Sequence, residues 1–335
     1  MNLPVGAFVI VAAVARVPES RDPTSVGGLD LPGAALATLA ISGLCFALIQ
    51  ASGGLTAAVI TAAVVSLTAA GAFVVVERHS NHPMLPLELF RSRQFASATV
   101  LALVTYAALG GVIFLLSAFL QISLGYTALL AGAATLPVTM LLLTLSTPSG
   151  ALAQRIGPRI PLTAGAVLTG AGLLLMAQIH PGDSYFAGVL PSLVVFGVGL
   201  AALITPITAT VLASVDARHS GVASAVNNAL SRLGQMVAVA VLPLVAGLSG
   251  ASFSQPAKLA AGFPVAMRVA AGASFAAALL ALITIRDDVL SQPRADKSSA
   301  TELPPSVQRH CAVAGTPLAT ASSREPPSRP PAAKG

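Results

Sequence analysis

Tryptophan is absent from this sequence, cysteine occurs twice, and charged side chains make up only 9 % of 335 residues. Each shortage excludes something. Soluble domains are roughly 25 % charged, so 9 % charged against 55 % hydrophobic residues leaves too little polar surface to cover a fold in water. Cys45 and Cys311 cannot make a disulfide framework. Without tryptophan, the strongest interfacial anchor, Tyr106, Tyr126, Tyr185 and flanking arginines must hold the register of any membrane span. None of the 12 acidic residues falls inside an apolar run, so no buried carboxylate that loads and unloads a proton is expected.

Chemistry is equally sparse. No Ser and His stand as nucleophile and base within the apolar runs. His79 and His82 lack a third ligand for a metal. Gly197-Val198-Gly199-Leu200-Ala201-Ala202 matches a dinucleotide fingerprint in letters, but it lies inside an apolar run with no strand before it. The chain is therefore read as no enzyme, with no catalytic residues, no metal site and no cofactor.

What the sequence does have is about nine apolar runs, over residues 3–17, 31–50, 55–76, 96–120, 128–146, 162–180, 185–213, 221–247 and 263–285. Most reach the ~20 residues that a helix rising ~1.5 Å per residue needs to cross a bilayer. The first, at about 15 residues, falls short of that length. The connections at one end carry Arg16, Arg21, Arg78, Arg91, Arg93, Arg155, Arg159 and Arg218, and those at the other only Lys258. That bias places the arginine-bearing end in the cytoplasm, with Met1 outside and the C-terminal tail inside. The fold expected is an all-α, polytopic helical bundle in the inner (plasma) membrane. Its divisions are a partial span (1–20), a helix hairpin (21–80), a cytoplasmic linker (81–95), a six-helix domain (96–285) and a Pro- and Ser-rich disordered cytoplasmic tail (286–335).

One run has a polar face. Asn227, Asn228, Ser231, Arg232 and Gln235 fall at helical offsets that place them together, opposite Val222, Val226, Ala229, Leu233 and Met236. Arg232 falls close to mid-bilayer, where a guanidinium facing lipid costs roughly 3 kcal/mol on insertion scales. The face is expected to line a translocation pathway, and the competing role for Arg232 is to pin helix packing through carbonyl hydrogen bonds. Thr205, Pro206 and Thr208 are expected to interrupt one span, as Thr135, Pro137 and Thr139 interrupt another.

Several stretches resemble a known family. These are Asn2-Leu3-Pro4-Val5-Gly6 with Val17-Pro18-Glu19-Ser20, then His82-Pro83-Met84-Leu85-Pro86-Leu87-Glu88-Leu89-Phe90-Arg91, then Phe119-Leu120-Gln121 with Gly125-Tyr126 and Ala131-Gly132, and finally Ser220-Gly221-Val222-Ala223-Ser224 with Asn227-Asn228. In order and spacing they resemble the fourteen-span drug/proton antiporter branch of the major facilitator superfamily. The resemblance implies spans six to fourteen of such a carrier, with the N-terminal part missing. It also implies alternating access about a midplane site and efflux of amphipathic small molecules against protons. Tyr106 and Gln121 join Thr205, Thr208 and the polar face as substrate-pathway candidates.

The family's cytoplasmic gating loop is represented by Gly150-Ala151-Leu152-Ala153-Gln154-Arg155-Ile156-Gly157-Pro158-Arg159. Gln154 stands where family members often carry Asp, which leaves Arg155 and Arg159 without a charge partner at that position. They would serve equally as positive-inside residues. The implied partners are a small amphipathic substrate, protons, the lipid bilayer and a missing N-terminal half, with no nucleic acid. The alternative is an inactive fragment or accessory membrane protein without transport of its own.

Overall fold

The computed structural model describes residues 2–16, 30–51, 53–80, 85, 87–216, 219–248, 255–287 and 290. Almost all of the expected tail, part of the linker, Arg21 and Arg218 lie outside these residues. The described residues form ten α-helices and no strand. They are α1 (Asn2–Arg16), α2 (Leu31–Ala51), α3 (Ala57–His79), α4 (Arg93–Ile122), α5 (Ala128–Ala134), α6 (Leu136–Ile156), α7 (Arg159–Met176), α8 (Leu190–Ala213), α9 (Ser220–Val245) and α10 (Pro256–Thr284).

Short polar residues set the starts. Thr56, Ser92 and Thr127 accept the N–H of Val59, Phe95 and Leu130 at 3.4, 3.4 and 3.3 Å, capping α3, α4 and α5. Eight segments are long and apolar enough to cross a membrane, with α5 and α6 counted as one and the π-helical turn Tyr185–Val189 joined to α8. Leu39, Ile49, Leu67, Leu143, Leu279 and Ile283 stand exposed on the outside of the helices. Only lipid covers such a surface without cost, and the chain is a polytopic helical membrane protein.

Three expectations about the spans need correction. The run expected over 128–146 continues through Pro148 as far as Ile156, so Gly150, Gln154 and Arg155 are helical rather than in a loop. The last span starts at Pro256, before residue 263, because Pro264 sits inside α10 without ending it. Pro206 likewise lies inside an unbroken α8. In all three, a proline-freed carbonyl within an apolar bundle costs less than ending the helix, since an end would free more backbone groups. By contrast Thr135 does separate α5 from α6.

The helices α4 to α10 pack around two apolar layers stacked along the bundle. One is built around Phe119, Phe196 and Phe263, with the rings of Phe119 and Phe263 stacked at 4.2 Å. The other, toward the arginine-bearing end, is built around Phe95, Leu162, Ile207 and Ala281. Small residues permit the close crossings. A β-carbon on Gly234 of α9 would fall 2.6 Å from the Leu103 carbonyl oxygen of α4, so these two helices touch backbone to backbone. The α2–α3 hairpin is held by Ser66 Oγ, which donates to the Ala40 carbonyl at 2.6 Å. It meets α9 where Cys45 Sγ lies 3.6 Å from Met236 Sδ. The described part of α1 is exposed along most of its length.

Candidate functional site

Packing of α9 against α4 cuts the polar face lengthwise. Asn227 and Ser231 are 5 % and 7 % exposed and lie on the small-residue stripe with Ala223, Gly234 and Ala238. Ser231 Oγ donates to the Asn227 carbonyl at 2.5 Å, while Asn227 Oδ1 is buried and unpartnered. Gln235, half-buried, packs against Gly110 of α4. Asn228 and Arg232 lie on the exposed side together with Gly221, Ala225 and Met236. The Asn228 amide donates to the Ser224 carbonyl at 3.1 Å.

Arg232 sits at the midpoint of α9, and no partner for its guanidinium stands among the described residues. The five residues expected on one face therefore divide into a buried pair, an exposed pair and a wedge. A helical wheel fixes their azimuths relative to one another but not to the neighbouring helices.

The other pathway candidates scatter. Tyr106 is half-buried against the layer near the arginine-bearing end. Gln121 is exposed at the far end of α4, where its amide donates to the Ser117 carbonyl and hydroxyl at 3.2 and 3.1 Å. Thr205 is half-buried, with its methyl against Gly150 of α6. Thr208 Oγ1 turns back to the Ile204 carbonyl at 3.1 Å. Thr205 and Thr208 share α8, yet neither meets Arg232 in a described hydrogen bond.

At the arginine-bearing end, Gly157 ends α6 with φ +88°, a conformation that a side chain disfavours. The carboxylate of Asp287, just after α10, packs on Gly157 and accepts the Arg159 backbone N–H at 3.1 Å. The acidic group missing at Gln154 thus has a counterpart from another element, although it binds backbone rather than guanidinium. Arg155 and Arg159 are exposed.

Sequence reasoning also missed Tyr185. The sequence points to it as an interfacial anchor, and the structure shows its hydroxyl donating to the Ala134 carbonyl at 3.0 Å. That carbonyl is freed at the α5–α6 break, because the Val138 N–H turns to the Thr135 carbonyl instead, at 3.1 Å. Tyr185→Phe keeps the ring and orphans the carbonyl. The expected cost is about 1 kcal/mol, seen as a lower melting temperature of the purified chain in detergent. Arg268 is a second mid-span arginine, exposed halfway along α10 between Val265 and Val269.

A family model described as Major Facilitator Superfamily matches residues 5–239, more than two thirds of the sequence. The chain belongs to the major facilitator superfamily. Among curated relatives, Multidrug resistance protein Stp of Mycobacterium tuberculosis is 33 % identical over 244 residues, covering 72 % of this chain and 45 % of Stp. The Probable actinorhodin transporter of Streptomyces coelicolor is 33 % identical over 267 residues, 75 % of this chain and 45 % of its own. Multidrug efflux pump LfrA of Mycolicibacterium smegmatis is 31 % identical over 241 residues, 72 % of this chain and 47 % of LfrA. The chain spans about half the length of the curated relatives it matches. Major facilitator membership agrees with the all-helical fold and with the superfamily read from the motifs.

Proposed function

We propose that this chain contributes the six-helix domain of a major facilitator carrier that exports amphipathic drugs or other small molecules in exchange for protons. The observation that carries the reading is the exposed stripe of Asn228 and Arg232 at the middle of α9. Polar groups at that depth are costly against lipid, so they belong on a wet pathway. The relatives' names, multidrug resistance, efflux and antibiotic transport, point the same way. In this reading the arginine-bearing end is cytoplasmic, as is the tail over 286–335, and residues 21–80 form a hairpin beside the transporter domain. The segment from Gly150 to Arg159, the end of α6 with its junction to α7, would act as a gate that moves as the domain rocks against an opposing bundle across the midplane.

The test is efflux of a fluorescent cationic dye from cells expressing the chain, alone and joined to the remaining spans of LfrA, with membrane level quantified. The joined protein is expected to export dye and to stop when a proton uncoupler is added. Export that persists with the uncoupler would remove proton coupling. No export of any dye in an amphipathic panel at full membrane level would point to an accessory membrane protein instead.

A further inference from the structure

The acidic residues, expected to sit entirely in loops and the tail, include one that does not. Glu77 lies in the last turn of α3 and is only 4 % exposed. Across the hairpin, Ser66 of α3 is hydrogen-bonded to Ala40 of α2, and Gly43 packs against Ser66 and Ala62. Going back ten residues along α2 from Ala40 and forward eleven along α3 from Ser66, the same antiparallel register brings Asp30 level with Glu77.

Each carboxylate has one satisfied oxygen. Asp30 Oδ1 caps α2 by accepting the Gly33 N–H at 2.9 Å, and Glu77 Oε2 accepts the Leu85 N–H at 3.2 Å. The other two oxygens, Asp30 Oδ2 and Glu77 Oε1, are both buried and have no hydrogen-bond partner.

Two ionised carboxylates in this place would leave two like charges together and two buried acceptors unanswered. No described cation offsets them. Among the described residues Asp30 is the one charged residue at its end of the hairpin on the α2 side, and α2 itself carries none. On α3, Arg78 and His79 are exposed, with His79 Nδ1 turned to the Val75 carbonyl at 2.9 Å. Glu88 and Arg91 beyond them are also exposed.

We propose that Asp30 and Glu77 are a two-carboxyl proton site, in which Glu77 Oε1–H donates to Asp30 Oδ2 and the pair carries one negative charge. The helix ends decide the placement. Asp30 stands at the N-terminus of α2, where the aligned peptide dipoles favour an anion, and Glu77 at the C-terminus of α3, where they disfavour one. A single proton removes the repulsion and satisfies both orphaned oxygens. The site lies on the hairpin that touches α9 through Cys45 and Met236, outside the polar stripe. It stands whether or not the chain transports anything.

Infrared spectroscopy of the whole chain in nanodiscs at neutral pH tests this. The expected result is a carbonyl stretch of a protonated carboxyl group that moves on ¹³C-glutamate labelling and is lost in Glu77→Gln. In Asp30→Asn the same band shifts, because its acceptor is no longer an anion. Absence of the band in the unaltered chain, or a band indifferent to glutamate labelling, would overturn the proposal without depending on any variant's folding. Dye efflux is read separately, so a failed transport reading leaves this result intact.

Discussion

Alanine at position 232 is expected to leave the membrane level of the carrier unchanged and to cut efflux by about tenfold or more. That is the change brought by losing one interaction worth about 1.4 kcal/mol in the pathway. Arg232 stands exposed at the midpoint of α9 with no described partner, on the same side as Asn228. A guanidinium in that position interacts with whatever occupies the space it faces: water, substrate or an opposing helix. Arg232→Lys keeps the charge but loses the planar fork, so it should recover part of the efflux. The measurement is initial dye efflux divided by membrane level. Unchanged efflux per molecule in Arg232→Ala would end the pathway reading, and a fall in melting temperature with efflux intact would assign the arginine to packing.

Leucine at Gly199 is expected to do the greatest structural damage of any single change considered. Gly199 of α8 lies against the backbone N–H of Thr169 in α7, and a β-carbon there would also fall 2.6 Å from Thr169 Oγ1 and 2.8 Å from the Gly165 carbonyl oxygen. Thr169 Oγ1 is itself tied to that carbonyl at 2.8 Å. Backbone on both sides cannot retreat as a flexible side chain can, so the helices must separate. Overpacking costs typically 1–3 kcal/mol and sometimes more. Gly199→Leu should stand at about 3 kcal/mol or above, read as aggregation or a large drop in melting temperature in detergent. Gly272→Ala is the matched control, because nothing lies within 4 Å of its β-position. It should be neutral or raise stability by up to about 1 kcal/mol through helix propensity. Equal melting temperatures for the two variants would refute the close-packing account of α7 and α8.

Most of the candidate site could be named in advance, but not its arrangement. The five residues of α9 were found because helical periodicity is local and counts along one chain. Which edge of that face is buried depends on where α4 lies, and that depends on Gly110 and Gly234 permitting the approach. Tyr185 and Ala134 are 51 residues apart, and nothing in either neighbourhood announces their hydrogen bond. Asp287 and Gly157 are similarly remote, so the lost acidic residue at Gln154 looked uncompensated. The apolar run ends at Val76, while the helix continues to His79 and takes in Glu77. A last helical turn needs no further apolar side chain, so composition underestimates it.

The sequence alone determined that this is a polytopic helical membrane protein, and its motifs carried the resemblance to the major facilitator superfamily. Apolar run length against bilayer thickness, the scarcity of charge and the placement of arginines are one-dimensional facts with direct energetic consequences. Only the tertiary structure decided that Asn227 and Ser231 face inward while Asn228 and Arg232 face out, that Pro206 and Pro264 are absorbed without breaks, and that Asp30 and Glu77 stand level. Those outcomes depend on contacts between helices distant in sequence, set by close packing and the pairing of buried polar atoms rather than by local propensity.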